Sequence, residues 1–97
     1  MFLSRVYQEE IINTLKEYHP DYIGIFGSYA RGEAGEKSDV DILVKFKEPK
    51  SLLKIIDIEN RLSEELGVKV DLITEGAIKN PTLKERIFND IQIVYQA

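Results

Sequence analysis

The chain has 97 residues, no cysteine, one histidine, and a formal net charge of −4 from 13 basic and 17 acidic side chains. Those numbers exclude a disulfide framework, a thiol nucleophile and a cysteine zinc site, and they argue against broad, sequence-independent nucleic-acid binding, which rests on Lys/Arg contacts to phosphates. A 43% hydrophobic content suffices for one modest core, so residues 1–97 are expected to form one domain. Met1-Phe2-Leu3-Ser4-Arg5 lacks a signal-peptide apolar stretch, and no segment nears the roughly 18 apolar residues of a membrane span. A cytoplasmic protein without membrane attachment is expected.

In chain order, Leu3, Val6, Tyr7, Ile11, Leu15 and Tyr18 recur at helical spacing and predict an amphipathic helix over 3–18. Its stripe is expected to pack into the core. His19-Pro20-Asp21 ends it, since the residue before proline disfavours helix. Tyr22–Phe26 is a short apolar run that reads as a strand, and residues 28–32 read as a tight turn or one helical turn. Glu33–Lys37 is a polar loop, and Asp39–Phe46 a second strand. Ser51 is the expected N-cap of a helix over 52–66, with Leu52, Ile55, Ile56, Glu59, Leu62 and Leu66 on or near one face. Gly67 is placed to stop it. Val68–Ile73 reads as a third strand, 75–79 as a short turn or helix, 82–89 as a last helix, and Ile91–Tyr95 as a fourth strand. An exposed edge there would invite aggregation, so this strand is expected to be paired in the sheet or covered by another chain. The order implies an α/β (α+β) fold: a mixed four-stranded sheet with helices mainly on one side.

The chemistry concentrates in three places. Gly27-Ser28 ends the first strand, where a glycine admits close backbone approach to a ligand and the following amides suit phosphate oxygens, although Gly-Ser is also an ordinary turn. After ten intervening residues Asp39 and Asp41 alternate on an expected strand, so both carboxylates would project from one face. They read either as acidic decoration of a solvent-facing strand or as paired hard-oxygen ligands suited to Mg²⁺ or Mn²⁺. Aspartate is a poor strand former and two on one face repel, a cost that a bound cation would explain. Asp71 interrupts Val68–Ile73 in the same way, or is a surface residue beside Lys69.

Joined, Gly27-Ser28-Tyr29-Ala30-Arg31-Gly32, Ser38-Asp39-Val40-Asp41-Ile42-Leu43-Val44 and the later Asp71 closely resemble the minimal nucleotidyltransferases of the polymerase-beta-like nucleotidyltransferase superfamily, small domains usually paired with an all-helical HEPN protein. The resemblance spans nearly the whole chain. It implies that Gly27 and Ser28 hold the triphosphate of ATP, that Asp39, Asp41 and Asp71 are catalytic ligands of two Mg²⁺ ions, and that Arg31 contacts phosphate or pairs with a carboxylate to stiffen the turn. Lys37 and Lys45 would face the phosphates or be solvated surface lysines. It further implies an antitoxin that transfers AMP to a tyrosine of a HEPN ribonuclease toxin, alone or in a homo- or hetero-oligomer. The other readings are a non-catalytic antitoxin that masks the toxin by contact, and a small-molecule nucleotidyltransferase of the antibiotic-modifying type. Without metal, the crowded aspartates are expected to raise at least one carboxyl pKa.

Overall fold

A computed structural model describes residues 1–97. Helix α1 spans Arg5–Lys16 and is N-capped by Ser4, whose hydroxyl accepts from the Tyr7 amide. It is followed by β1 (Pro20–Phe26), the single helical turn α2 (Ser28–Arg31), β2 (Val40–Phe46), α3 (Leu52–Leu66), β3 (Val70–Thr74), a 3₁₀ turn at Glu75–Ala77, α4 (Pro81–Asp90) and β4 (Gln92–Gln96). Every expected element is present, with ends displaced by a few residues. Ser51 caps α3 through the Lys54 amide, and Gly67 ends it at φ +70°, a left-handed conformation that a Cβ disfavours.

The sheet order is β3-β2-β1-β4. The β1/β2 and β1/β4 pairs are antiparallel, and the β2/β3 pair, joined through α3, is parallel. One face of the sheet offers Ile23 and Ile25, Val40, Ile42 and Val44, and Val70 and Leu72; these pack with Ile11 and Leu15 of α1 and Ile58, Leu62 and Leu66 of α3 in one cluster. Tyr7 and Tyr18 join it, as the stripe on α1 predicts, whereas Val6 is exposed. By alternation the other face carries Asp41, Leu43, Asp71 and Phe26. Leu43 and, on α4, Ile87 are buried outside the main cluster.

The predicted face of α3 needs correction. Ile58, absent from it, is buried, while Leu52 and Ile56 are exposed. The stripe holding Leu52, Ile56 and Glu59 does not point into the core; it runs along the outer edge of β3. There the Glu59 carboxylate accepts from the Leu72 amide at 2.7 Å and the Ser63 hydroxyl accepts from the Val70 amide at 3.0 Å. These side chains satisfy edge amides that a bare strand would present to another chain. Glu59→Ala should therefore cost about 1–3 kcal/mol by leaving the Leu72 amide without its acceptor, and Glu59→Gln, which keeps an oxygen there, distinctly less; thermal denaturation of the two variants checks this.

The C-terminal strand is paired within the sheet, to β1, and lies at its other edge. A register shift opposite Ile23 and Gly24 interrupts that pairing, a bulge of the kind that makes an edge a poor template. No helix is long and apolar enough to cross a membrane.

Candidate active site

The parallel register sets Asp41 beside Asp71, with Ile42 and Leu72 next in line on the core face. Asp39 lies two residues before Asp41, immediately ahead of β2 rather than inside it. The Val40 amide donates to the Lys69 carbonyl at 2.9 Å, which holds the approach to β2 against the approach to β3. The three aspartates, scattered over 33 residues of chain, thus share one end and one face of two adjacent strands.

Gly27 closes the site from above β1. It has φ +72° and ψ −150°, and a Cβ built there would lie 2.2 Å from Oδ2 of Asp41. Its missing side chain is what admits the carboxylate. Ser28 follows as the first residue of α2, whose Ala30 and Arg31 amides both donate to the Gly27 carbonyl at 3.1 Å.

Burial, the adjoining Asp71 carboxylate, and more weakly Asp39 push the Asp41 carboxyl up to about 6, with Arg31 pulling the other way. The crowded carboxylates, with burial, thus make Asp41 hold its proton more tightly than an isolated aspartate does. The ammonium of Lys69 stands 3.7 Å from Asp39 and 4.0 Å from Asp71. No three side chains are arranged as a ready-made metal-binding group. The donor set nevertheless fits a hard divalent cation: three carboxylates gathered at one end of two adjacent strands, with the Lys69 ammonium beside two of them where a bound cation would also neutralise charge.

Arg31, expected to contact phosphate or to pair with a carboxylate, meets two carboxylates here while also lining the cavity beside Gly27. Its Nε meets Glu33 at 2.7 Å and its Nη1 meets Asp90 at 2.9 Å, tying α2 to the end of α4. Lys37 is exposed in the loop before β2. Lys45 lies at the far end of β2, 3.9 Å from Glu75, away from the aspartates.

A cavity of about 530 Å³ opens beside Gly27, lined among others by Phe26, Arg31, Leu83, Arg86 and Asn89. Sequence reasoning singled out neither Arg86 nor Asn89. They lie on α4, some sixty residues from the Gly27 turn, and an isolated Arg and Asn on a short polar helix carry no local signal; packing of α4 near β1 delivers them.

The profile of the nucleotidyltransferase domain family matches residues 8–94. The chain belongs to that family. A Methanocaldococcus jannaschii protein named as a candidate protein adenylyltransferase is 56% identical over 78 residues, 79% of this chain and 80% of that one. The protein adenylyltransferase MntA of Thermococcus cleftensis is 55% identical over 62 residues, 64% of this chain and 63% of that one. Among solved structures, a chain from the tri-AMPylated Shewanella oneidensis HEPN toxin in complex with MNT antitoxin superposes with a TM-score of 0.81 over 98% of this chain and 74% of that one, at 18% identity, a likeness of fold. The motif-based resemblance to minimal nucleotidyltransferases therefore holds, and this nucleotidyltransferase has the mixed four-stranded sheet that the resemblance implies.

Proposed function

We propose that this chain transfers AMP from ATP to a hydroxyl, a tyrosine by resemblance, on a HEPN-family toxin, and acts as its antitoxin. The observation that carries the reading is the register of Asp41 against Asp71 under the Gly27 turn, in a chain similar to proteins named as protein adenylyltransferases. A fold shared with a complex of tri-AMPylated HEPN toxin and MNT antitoxin supports the choice of acceptor.

In this reading Asp39, Asp41 and Asp71 hold Mg²⁺, which when bound neutralises charge on the triphosphate and on the entering and leaving oxygens. Gly27 and Ser28 receive the triphosphate. The adjacent cavity, with Phe26 and Leu83 beside Arg86 and Asn89, accommodates the rest of the nucleotide. The acceptor hydroxyl attacks the α-phosphorus in line, its proton passes to Asp71, and the bond to the pyrophosphate oxygen breaks. Positioning and charge compensation carry most of the acceleration.

A second reading, masking of the toxin by contact alone, draws on the Lys69 ammonium between Asp39 and Asp71. Intact mass separates the two. A HEPN partner incubated with this protein, ATP and Mg²⁺ is expected to gain one or more AMP masses, with no gain when EDTA replaces Mg²⁺ or when the Asp39→Asn/Asp41→Asn variant is used. A stable complex with no added mass establishes masking and removes transfer; neither complex nor added mass redirects the site to a small-molecule hydroxyl.

A further inference from the structure

The helix stripe that covers the edge of β3 does not end where β3 ends. Glu59 and Ser63 reach the Leu72 and Val70 amides, but β3 stops at Thr74, and the same stripe continues toward the start of α3 through Ile56 and Leu52. With Leu53, one turn from Ile56, these make a patch of large aliphatic groups at 42%, 75% and 78% exposure for Ile56, Leu52 and Leu53. Scattered exposed aliphatic residues need no explanation; three neighbouring ones on one end of a helix do.

The segment leading into this end of α3 is basic. Residues 45–54 hold four lysines and one glutamate, a net +3 inside a chain of net −4, with Lys45 lying 3.9 Å from Glu75 and with Asp57 and Glu59 following on the helix. Two of these lysines are held by aromatic rings: Lys50 lies 5.6 Å from the Phe46 centroid and Lys54 lies 5.2 Å from that of Tyr18, contacts that preorganise the ammonium groups. A recess of about 400 Å³ whose lining includes Phe46, Pro49, Lys50 and Glu75 opens beside Lys50.

We propose that the start of α3, with Leu52, Leu53 and Ile56 rimmed by Lys50 and Lys54, docks an acidic amphipathic helix of the protein that this chain modifies. An apolar stripe wants the apolar face of a helix, and the lysine rim selects one with acidic flanks. A nucleic acid would answer the lysines but not the leucines. The patch sits beyond the far end of β2 from Asp39, roughly 20 Å away at about 3.3 Å per residue, so a partner anchored here leaves the catalytic end clear for its hydroxyl. Anchoring and reacting become separate contacts of one substrate. The assignment rests on the proposed protein acceptor.

The test measures the dissociation constant of the complex with the HEPN partner for the full-length wild type, Leu52→Glu/Leu53→Glu and Lys50→Glu/Lys54→Glu, alongside ATP affinity and melting temperature. Both variants are expected to weaken the complex at least ten-fold with ATP affinity unchanged; the leucine variant should keep the wild-type melting temperature, and the lysine variant should lose only the few degrees that its two ring contacts supply. Wild-type affinity in both variants overturns docking at this patch, as does a wild type that forms no complex. AMP gain on the partner with undiminished variant affinity refutes the docking site and leaves transfer standing; patch-dependent binding without AMP gain does the reverse.

Discussion

Asp41→Asn is expected to lower AMP transfer by about 10²–10³-fold or more while making the metal-free protein more stable at neutral pH. The first effect follows from removing the central carboxylate of the three. The second follows from the raised carboxyl, about 6 in the folded protein against roughly 3.9 for an unperturbed aspartate. Between those values the folded chain holds a proton that the unfolded chain has released, so stability falls as pH rises through about 4 to 6 and the full penalty applies above 6. Asparagine carries no such charge. Asp41 is only half-buried, so solvent screening reduces the gain to about 1 kcal/mol at pH 7.5, roughly 4–8 °C in a chain of this length. Thermal melts with EDTA from pH 4 to 8 should show the two curves diverging as pH rises. A variant less stable than wild type at pH 7.5 would refute the repulsion; one that transfers AMP at the wild-type rate would refute the catalytic assignment.

Gly27→Ala is expected to damage fold and site together. With φ +72° and ψ −150° the residue lies in a region essentially confined to glycine, which costs an alanine about 1–3 kcal/mol. The added methyl would also stand 2.2 Å from Oδ2 of Asp41, forcing that carboxylate out of line with Asp71. Lost transfer with a melting temperature lowered by several degrees is the expected outcome. Combining it with Asp41→Ala separates the causes: the backbone cost persists, whereas the steric part disappears, so the two substitutions should be non-additive by an amount that double-mutant denaturation measures directly. Strict additivity would mean that the methyl and the carboxylate never meet.

Much of the candidate site is legible locally. Alternation predicts Asp39 and Asp41 on one side of one strand, although Asp39 lies just ahead of β2, and a Gly-Ser pair at the end of an apolar run marks the turn near them. The α3 face was misread because Leu52 and Ile56 share helical spacing with true core residues; periodicity reports a stripe but not what lies beneath it, and the end of β3 leaves part of this one uncovered. Arg31 was ambiguous because its partner Asp90 is 59 residues away.

What the sequence by itself determined is the set of elements, the caps at Ser51 and Gly67, and the candidacy of Asp39 and Asp41, since each of these is written in spacings of a few residues. Only the tertiary structure decided that β3 lies parallel to β2 in the register that sets Asp71 against Asp41, that Lys69 stands between Asp39 and Asp71, and that α4 brings Arg86 and Asn89 to the cavity beside Gly27. Strand order and register are settled by burial of the whole core and by closure of long loops, and those energies belong to no short stretch of chain.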